Sequence, residues 1–122
     1  MASLLIVDDD RDILELLNDY LGSLGHTIFA AQTGTAALTA LQTGQVFSIA
    51  IVDWTLPDMN GSQLAAAIAA QLPQCKIILT TGRLDKLFDK NIHVAIRKPY
   101  SMRALALRIE ALCQGGEPPE RP

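Results

Sequence analysis

The sequence predicts an α/β fold, a single doubly wound sheet of five parallel strands with helices on both of its faces. Three observations support this prediction. Apolar runs of strand length alternate five times along the chain with segments that are mostly of helical periodicity. The third run, residues 49–53, is apolar at every position before its terminal Asp53, which is typical of a strand covered on both faces. The 122 residues also match the length of one domain with a sizeable core.

The five predicted strands are apolar runs bounded by turn or charged residues. In chain order they comprise residues 4–7, 27–31, 47–53, 76–80 and 92–96. No internal repeat and no low-complexity segment interrupts this order. The alternation with helices predicts that the strands are parallel. Each helix would carry the chain back to the end of the sheet where the previous strand began, so the next strand runs in the same direction.

The helices are predicted from apolar residues at helical spacing and from signals at their ends. They comprise residues 11–24, 34–41, 62–72 and 102–113. Gly25 and Gly44 end the first two helices, and Ser101 is the expected N-cap of the last. Residues 83–91, between the fourth and fifth strands, have little to bury. They therefore predict a helix at this place that is short or irregular.

Composition and charge exclude several classes of function. The formal charge of −3, with scattered cations, offers no basic stripe for nucleic acid. No apolar segment approaches the ~20 residues of a membrane span, and the first residues lack the order of a signal peptide. Cys75 and Cys113 lie in apolar segments without metal-ligand spacing. We interpret them as reduced core residues of a cytoplasmic protein, with a disulfide or redox role as the alternative.

The last residues of the chain and its two histidines are expected to have no chemical role. Residues 1–113 are predicted to form the domain, whereas residues 114–122, rich in Gly and Pro, are predicted to be a flexible tail or linker. His26 and His93 have no partner at ligand spacing, so surface or strand-edge positions are expected for both.

The predicted strands end in polar side chains, which gather at one edge because the carboxyl ends of parallel strands lie together. These residues are Asp8, Asp9 and Asp10 after the first strand, Asp53 at the end of the third, Thr80 and Thr81 at the end of the fourth, and Lys98 after the fifth. Clustered carboxylates repel one another, so they require a cation or raised pKa values, and Mg²⁺ meets that need. A metal, a carboxylate nucleophile, an ammonium and a hydroxyl together suit the binding of a phosphoryl group.

These motifs resemble the receiver domain of two-component response regulators, a flavodoxin-like phosphoacceptor domain. The resemblance covers the chain from Leu4 to about Cys113. The motifs that carry it are Leu5-Ile6-Val7-Asp8-Asp9-Asp10, Asp53 followed by Pro57 and Gly61, Ile78-Leu79-Thr80, and Lys98-Pro99-Tyr100-Ser101. Each motif alone is weakly specific, but the four in this order at the ends of strands are highly specific.

The resemblance implies a role in phosphoryl transfer for three residues. Asp53 would be the phosphoacceptor, Thr80 the hydroxyl that moves toward the phosphoryl group, and Lys98 the cationic partner of that group. The family usually has a cis bond at this place, so the peptide bond between Lys98 and Pro99 is expected to be cis. Thr81, where the family usually has a small residue, is interpreted as lining.

The resemblance also implies the ligands of Mg²⁺. Asp9 and Asp53 would bind the metal directly, Asp8 mainly through water, and the backbone carbonyl of Thr55 would complete the site. For Asp10, capping of the first helix is as well supported as a metal role.

Two features depart from the family pattern. The stretch from Thr80 to Lys98 is shorter than usual by roughly a helical turn. The position three before Lys98 commonly carries an aromatic ring that reorients when the hydroxyl moves, and here it is Ala95. We therefore expect the phosphorylation chemistry to be retained, while the route by which the signal leaves the domain differs.

The resemblance implies a phosphoacceptor that assists its own phosphorylation and dephosphorylation, and not an enzyme. Its donor would be a histidine kinase or a histidine phosphotransfer protein, its target another protein, and its state a monomer or weak homodimer, with neither nucleic acid nor membrane as a partner. A phosphatase of the haloacid dehalogenase type would need an Asp where Thr55 stands, and a flavodoxin would need a loop without the three acids. A degenerate receiver, acting as a phosphorylation-independent interaction module, is the remaining alternative.

Overall fold

The coordinates, a computed structural model, describe residues 2–82 and 90–114. Within these ranges the predicted alternation of strands and helices is confirmed. The strands are β1 (Ser3–Val7), β2 (Thr27–Ala31), β3 (Ile49–Asp53), β4 (Lys76–Thr81) and β5 (Val94–Arg97). The helices are α1 (Arg11–Ser23), α2 (Gly34–Gln42), α3 (Gly61–Gln71) and α4 (Met102–Cys113).

The five strands form one parallel sheet in the order β2-β1-β3-β4-β5. The chain leaves β1 toward one side, to β2, and later returns to the other side, to β3. The strand order therefore reverses between β1 and β3, and the crevice outside the carboxyl ends of these strands is where open α/β sheets place their ligands.

Two cores cover the sheet, one on each face, because successive side chains of a strand point to opposite faces. On the face of α2 and α3, the strands contribute the buried residues Leu5, Val7, Ala50, Val52 and Ile77. On the face of α1 and α4, they contribute Leu4, Ile6, Ile49, Ile51 and Ile78. The continuous apolar runs in the sequence thus reflect strands that are buried on both sides.

The helix ends use the signals that the sequence offers. Asp10, Thr33, Asn60 and Ser101 are the N-caps of the four helices, and each side chain accepts a hydrogen bond from a backbone N–H of the first turn. After α1, Gly25 has a φ of 99°, a backbone conformation that glycine adopts without strain.

Two strands are shorter than predicted. β3 begins at Ile49 and not at residue 47, and β5 begins at Val94 and not at residue 92. Phe47 is buried, but it packs beside the ring of Phe29, with 6.0 Å between centroids, before the strand begins. Ile92 likewise packs against the core from a connection. An apolar side chain can pack into the core without its backbone belonging to a strand. The sequence pattern does not distinguish these core residues from strand residues.

The cysteines and histidines differ partly from expectation. Cys75 is buried, which raises its thiol pKa to about 12, but Cys113 is exposed at the end of α4 and is not a core residue. The Nδ1 atom of His26 accepts the N–H of Ala2 at 3.1 Å. The Nδ1 atom of His93 accepts the N–H of Ile77 at 3.0 Å. Both histidines thus serve as hydrogen-bond acceptors close to the starts of strands.

Two predictions fall largely outside the described residues. The short or irregular helix predicted within residues 83–91 is described only at its end, where Lys90 and Asn91 form a turn. The predicted tail is described only at Gln114. In residues 2–82 and 90–114, no helix has both the length and the apolar character that crossing a membrane requires.

Candidate phosphoacceptor and metal site

Asp8, Asp9 and Asp53 lie together at the carboxyl edge of the sheet. Asp8 directly follows β1 and Asp53 ends β3, and the parallel register of these neighbouring strands places the two residues side by side. One carboxylate oxygen from each of the three lies within 4.8 Å of the others. Asp8 is 3% exposed and Asp53 is 6% exposed, whereas Asp9 faces solvent. The acidic cluster predicted from the sequence therefore has two buried members and one that is open to solvent.

The ammonium of Lys98 bridges two of these carboxylates. Its Nζ lies 3.2 Å from Oδ2 of Asp53 and 3.3 Å from Oδ2 of Asp8. The backbone N–H of Lys98 donates to the carbonyl of Thr81 at 2.6 Å. The peptide bond to Pro99 is cis, as predicted. The end of β5 thus directs a cation across β4 toward the carboxylates of β1 and β3.

Burial and mutual charge govern protonation in the cluster. Burial, and then the charge of Asp8, raise the pKa of the Asp53 carboxyl, although Lys98 acts in the opposite direction. Burial alone would lower the pKa of Lys98, but the charges of Asp8 and Asp53 outweigh it, and this pKa is raised. Burial also raises the pKa of the Tyr100 phenol to about 12. Near neutral pH, Lys98 is therefore a cation, and Tyr100 is a neutral neighbour.

The donor set fits a hard divalent cation. Three carboxylates face one ammonium, so two negative charges are left without a counterion inside the cluster. Oxygen ligands at a site that is partly open to solvent suit Mg²⁺, which usually keeps several of its waters. Oδ1 of Asp53 receives the N–H of Thr55 only at 3.5 Å, so this oxygen has no strong partner from that group. The carbonyl of Thr55 as a further ligand stays a prediction.

β4 brings two hydroxyl side chains to the same edge. Thr80 pairs in register with Asp53 and is 1% exposed, and its carbonyl accepts the N–H of Trp54 at 2.8 Å. Thr81 is buried beside it. Thr80 therefore lies on the strand next to that of Asp53, as expected. Its movement toward a phosphoryl group stays a prediction.

A tight loop leads from Asp53 to α3. The N–H of Gly61 donates to the carbonyl of Trp54 at 2.6 Å, and Thr55 forms an antiparallel bridge with Asn60. A Cβ atom on Gly61 would lie only 2.7 Å from the carbonyl oxygen of Asp53. Glycine is thus required here because the start of α3 lies against the backbone of Asp53.

Asp10 stands apart from the metal-capable group. Its Oδ1 accepts the N–H groups of Asp12 and Ile13, which confirms the capping interpretation. Its own N–H donates to Oδ1 of Asp8 at 2.9 Å. Within the described residues, the group that can hold a metal comprises Asp8 and Asp9 with Asp53, without Asp10. Asp10 therefore supports the site by orienting Asp8.

Two further residues of this edge bear on the sequence predictions. Ala95 lies on β5 opposite Leu79 and is exposed, so this position presents a methyl group to solvent where the sequence comparison with receivers led us to expect an aromatic ring. Asp58, in the loop after Asp53, is not among the residues predicted from the sequence. Its partners, Gly34 and Thr35, are far away in the chain, so no local pattern points to it.

A family model for the response regulator receiver domain matches residues 4–110. The chain belongs to the response regulator receiver domain family. It is a receiver domain of two-component signalling, and its sheet, its acidic edge and Lys98 are where the sequence of a receiver led us to expect them.

Relatives and solved structures agree with this assignment. The chain is 35% identical over 109 residues to the response regulator protein FleR of Pseudomonas aeruginosa, a match that covers 85% of the chain and 23% of FleR. It spans about half the length of other curated relatives. A CheY-like receiver domain from Methanospirillum hungatei superposes with a TM-score of 0.86 at 28% identity, covering 96% of this chain and 97% of that one. The response regulator TrrA of Thermotoga maritima, solved in complex with Mg²⁺ and BeF, superposes with a TM-score of 0.80 at 28% identity, covering 92% and 99% of the two chains.

Proposed function

We propose that Asp53 of this receiver accepts a phosphoryl group from a phosphohistidine donor. The observation that carries the proposal is the position of the Lys98 ammonium, 3.2 Å from a carboxylate that is 6% exposed and lies beside two other acids. A buried carboxylate with a fixed cation and a buried hydroxyl on the neighbouring strand is suited to hold a phosphoryl group as it transfers.

In the proposed step, a carboxylate oxygen of Asp53 attacks the phosphorus of the donor. The new O–P bond forms as the P–N bond to the donor imidazole breaks, and the imidazole nitrogen leaves with the bonding electron pair and takes up a proton. The product is an aspartyl phosphate. Lys98 would balance charge on the phosphoryl oxygens, and the Thr80 hydroxyl would donate to one of them.

Mg²⁺ is the proposed cofactor, held by Asp8, Asp9 and Asp53 with the carbonyl of Thr55. When bound, it would neutralise the charge that the phosphoryl oxygens bring to an already acidic edge. Three converging carboxylates and a single ammonium support the presence of a divalent cation. The complex of the related TrrA with Mg²⁺ and BeF supports the same choice.

The proposed partners are a histidine kinase or a histidine phosphotransfer protein as donor, and a further protein as target. Phosphorylation would shift the population of receiver conformations and so change a protein-interaction surface. The domain would act as a monomer or weak homodimer in the cytoplasm, comprising residues 1–113, with residues 114–122 as a tail or a linker. Two free cysteines are consistent with a reducing compartment. A phosphorylation-independent module is not favoured, since Asp53, its acidic neighbours and Lys98 are all present.

Intact-mass spectrometry after treatment with acetyl phosphate or phosphoramidate tests this function. We expect a single phosphoryl adduct that requires Mg²⁺ and that Asp53→Asn abolishes. Asp19→Asn, which removes an exposed carboxylate of α1, is the matched control and should be modified like the wild type. A folded wild-type protein that gains no adduct would refute the proposal.

A further inference from the structure

The loop that follows the acceptor is attached to α2. The carboxylate of Asp58 accepts three hydrogen bonds from the first turn of this helix, up to 24 residues away in the chain. The donors are the N–H of Gly34 at 2.9 Å, the N–H of Thr35 at 2.8 Å and the hydroxyl of Thr35 at 2.6 Å. These bonds lower the pKa of Asp58 to about 2, and the bond from the Thr35 hydroxyl has the largest effect. Asp58 is therefore a carboxylate at any pH near neutrality.

The next residue of the loop rests on the same turn. Gly34 is buried, and a Cβ atom at this position would overlap the side chain of Met59. Asp58 and Met59 thus hold two consecutive residues of the loop against the start of α2, one by hydrogen bonds and the other by close packing.

The helix already has a local cap. The hydroxyl of Thr33 accepts the N–H of Ala36 at 3.0 Å, as an N-cap does. Asp58 adds bonds to two other N–H groups of the first turn, and it does so from the acceptor loop. Its bonds therefore connect two separate segments, whereas the bond of Thr33 stabilises the helix alone.

The connection reaches the acceptor through a short and closed backbone. The N–H of Leu56 donates to the carbonyl of Met59 at 3.2 Å, and Thr55 forms a bridge with Asn60. The N–H of Thr55 faces Oδ1 of Asp53 at 3.5 Å. A shift of Asp58 would consequently move the peptide groups that flank Thr55.

We propose that Asp58 is a positioning residue of the metal site, which fixes the loop to α2 and thereby holds the backbone of Thr55 where it binds the cation. This inference rests on the proposed function, since it assumes that Mg²⁺ binds beside Asp53. The carboxylate of Asp58 does not belong to the metal-capable group of Asp8, Asp9 and Asp53, so it would act only through the backbone.

Three variants separate positioning from stability and from charge. Asp58→Asn removes the charge and replaces one of the two acceptor oxygens by an NH2 group, which cannot accept from the N–H groups of α2. Thr35→Val removes one of the three hydrogen bonds but leaves the charge of Asp58 in place. Thr33→Ala removes the local cap of the same helix and serves as the matched control. Mg²⁺ is titrated into the wild-type chain and into each variant, and binding is followed by Trp54 fluorescence, with the amide NMR signals of Thr55 and Leu56 as a second readout.

Asp58→Asn should weaken Mg²⁺ binding by about three- to tenfold, less than the 10–100-fold that is typical of groups bonded directly to a metal ligand, because Asp58 acts through the backbone. Thr35→Val should show a smaller loss in the same direction, and Thr33→Ala should bind like the wild type even if it unfolds at a lower temperature. Wild-type affinity in both Asp58→Asn and Thr35→Val would overturn the inference. A loss of Mg²⁺ affinity in Asp58→Asn without any loss in Thr35→Val would also overturn it, because that result is explained by the charge of Asp58. An equal loss of affinity in Thr33→Ala would overturn it as well, because that result is explained by stability of the helix. A wild-type protein that binds no Mg²⁺ would instead overturn the proposed metal site, and the inference with it.

Discussion

The ammonium of Lys98, which directly follows β5, lies 3.2 Å from Asp53, the last residue of β3, although β4 separates these two strands. This ion pair joins the two segments of the chain that the proposed chemistry requires. The ammonium of Lys98 also lies 3.3 Å from Oδ2 of Asp8, so a single cation contacts two buried carboxylates.

Lys98→Ala should therefore impair both stability and phosphorylation. The carboxylates of Asp8 and Asp53 would face each other without a cation, at a cost of about 1–2 kcal/mol, since Lys98 is partly exposed and solvent screens the pair. Loss of a charge aimed at the phosphoryl oxygens should slow phosphorylation about 100-fold. Urea denaturation and a mass-spectrometric time course measure the two effects. Lys90→Ala, at an exposed position, is the control, and an unchanged rate in Lys98→Ala would contradict the assigned role.

Asp53→Asn should raise the melting temperature by a few degrees in metal-free buffer. The pKa of Asp53 is raised in the folded protein by burial and by Asp8, so folding disfavours its ionised form, and a neutral amide avoids that cost. Because this pKa is raised, the melting temperature of the wild type should approach that of the variant as the pH falls through it. The wild-type carboxyl is then neutral too. Melting curves at several pH values test this. A lower melting temperature in Asp53→Asn near neutral pH would mean that the attraction of Lys98 outweighs burial.

Gly61→Ala should destabilise the domain and displace the backbone of Asp53. The added Cβ would lie 2.7 Å from the carbonyl oxygen of Asp53 and 2.9 Å from Cα of Trp54, so the backbone has to shift, at about 1–3 kcal/mol. The matched control is Gly22→Ala in α1, where nothing lies within 4 Å of the added atom and stability should rise by up to about 1 kcal/mol. Equal free energies of unfolding for the two variants would show that the start of α3 is not in close contact with the backbone of Asp53.

Stability should decline below about pH 6.5 through His26. Burial lowers its pKa below the ordinary 6.5, and its Nδ1 accepts the N–H of Ala2. As the pH falls through 6.5, the unfolded chain takes up a proton that the folded protein does not, so the contribution of the neutral ring is lost. Urea denaturation between pH 7.5 and 5.5 measures this decline, which should be shallower in His26→Gln. Parallel pH profiles of wild type and variant would argue against it.

The fold and most of the site were predictable because their signals are local. Continuous apolar runs identify strands that are buried on both faces, and a parallel sheet then brings Asp8, Asp53 and Lys98 to one edge without any further information. The resemblance to receivers added the cis bond before Pro99, which the structure has. Helix ends were also readable, since Asp10 and Ser101 cap the helices that follow them.

The rest depends on contacts between distant segments. Phe47 is an aromatic residue of a type common in strands, but its ring packs into the core before the hydrogen-bonded part of β3 begins at Ile49. Cys113 lies in an apolar helix, yet helical rotation places it on the solvent side. The attachment of Asp58 to the first turn of α2 depends on how the two loops meet in three dimensions, which no spacing in the sequence encodes.

Chemical mapping of the phosphorylated residue tests the central claim most directly. Borohydride reduces an aspartyl phosphate to homoserine, so the protein is treated with acetyl phosphate and Mg²⁺, reduced, digested and sequenced by mass spectrometry. We predict that homoserine replaces aspartate at position 53, that the acidic residues at positions 8, 9 and 58 remain aspartate, and that omission of Mg²⁺ abolishes the conversion. Homoserine at another of these positions, or at none of them in a folded protein, would contradict the assignment of Asp53 as the phosphoacceptor.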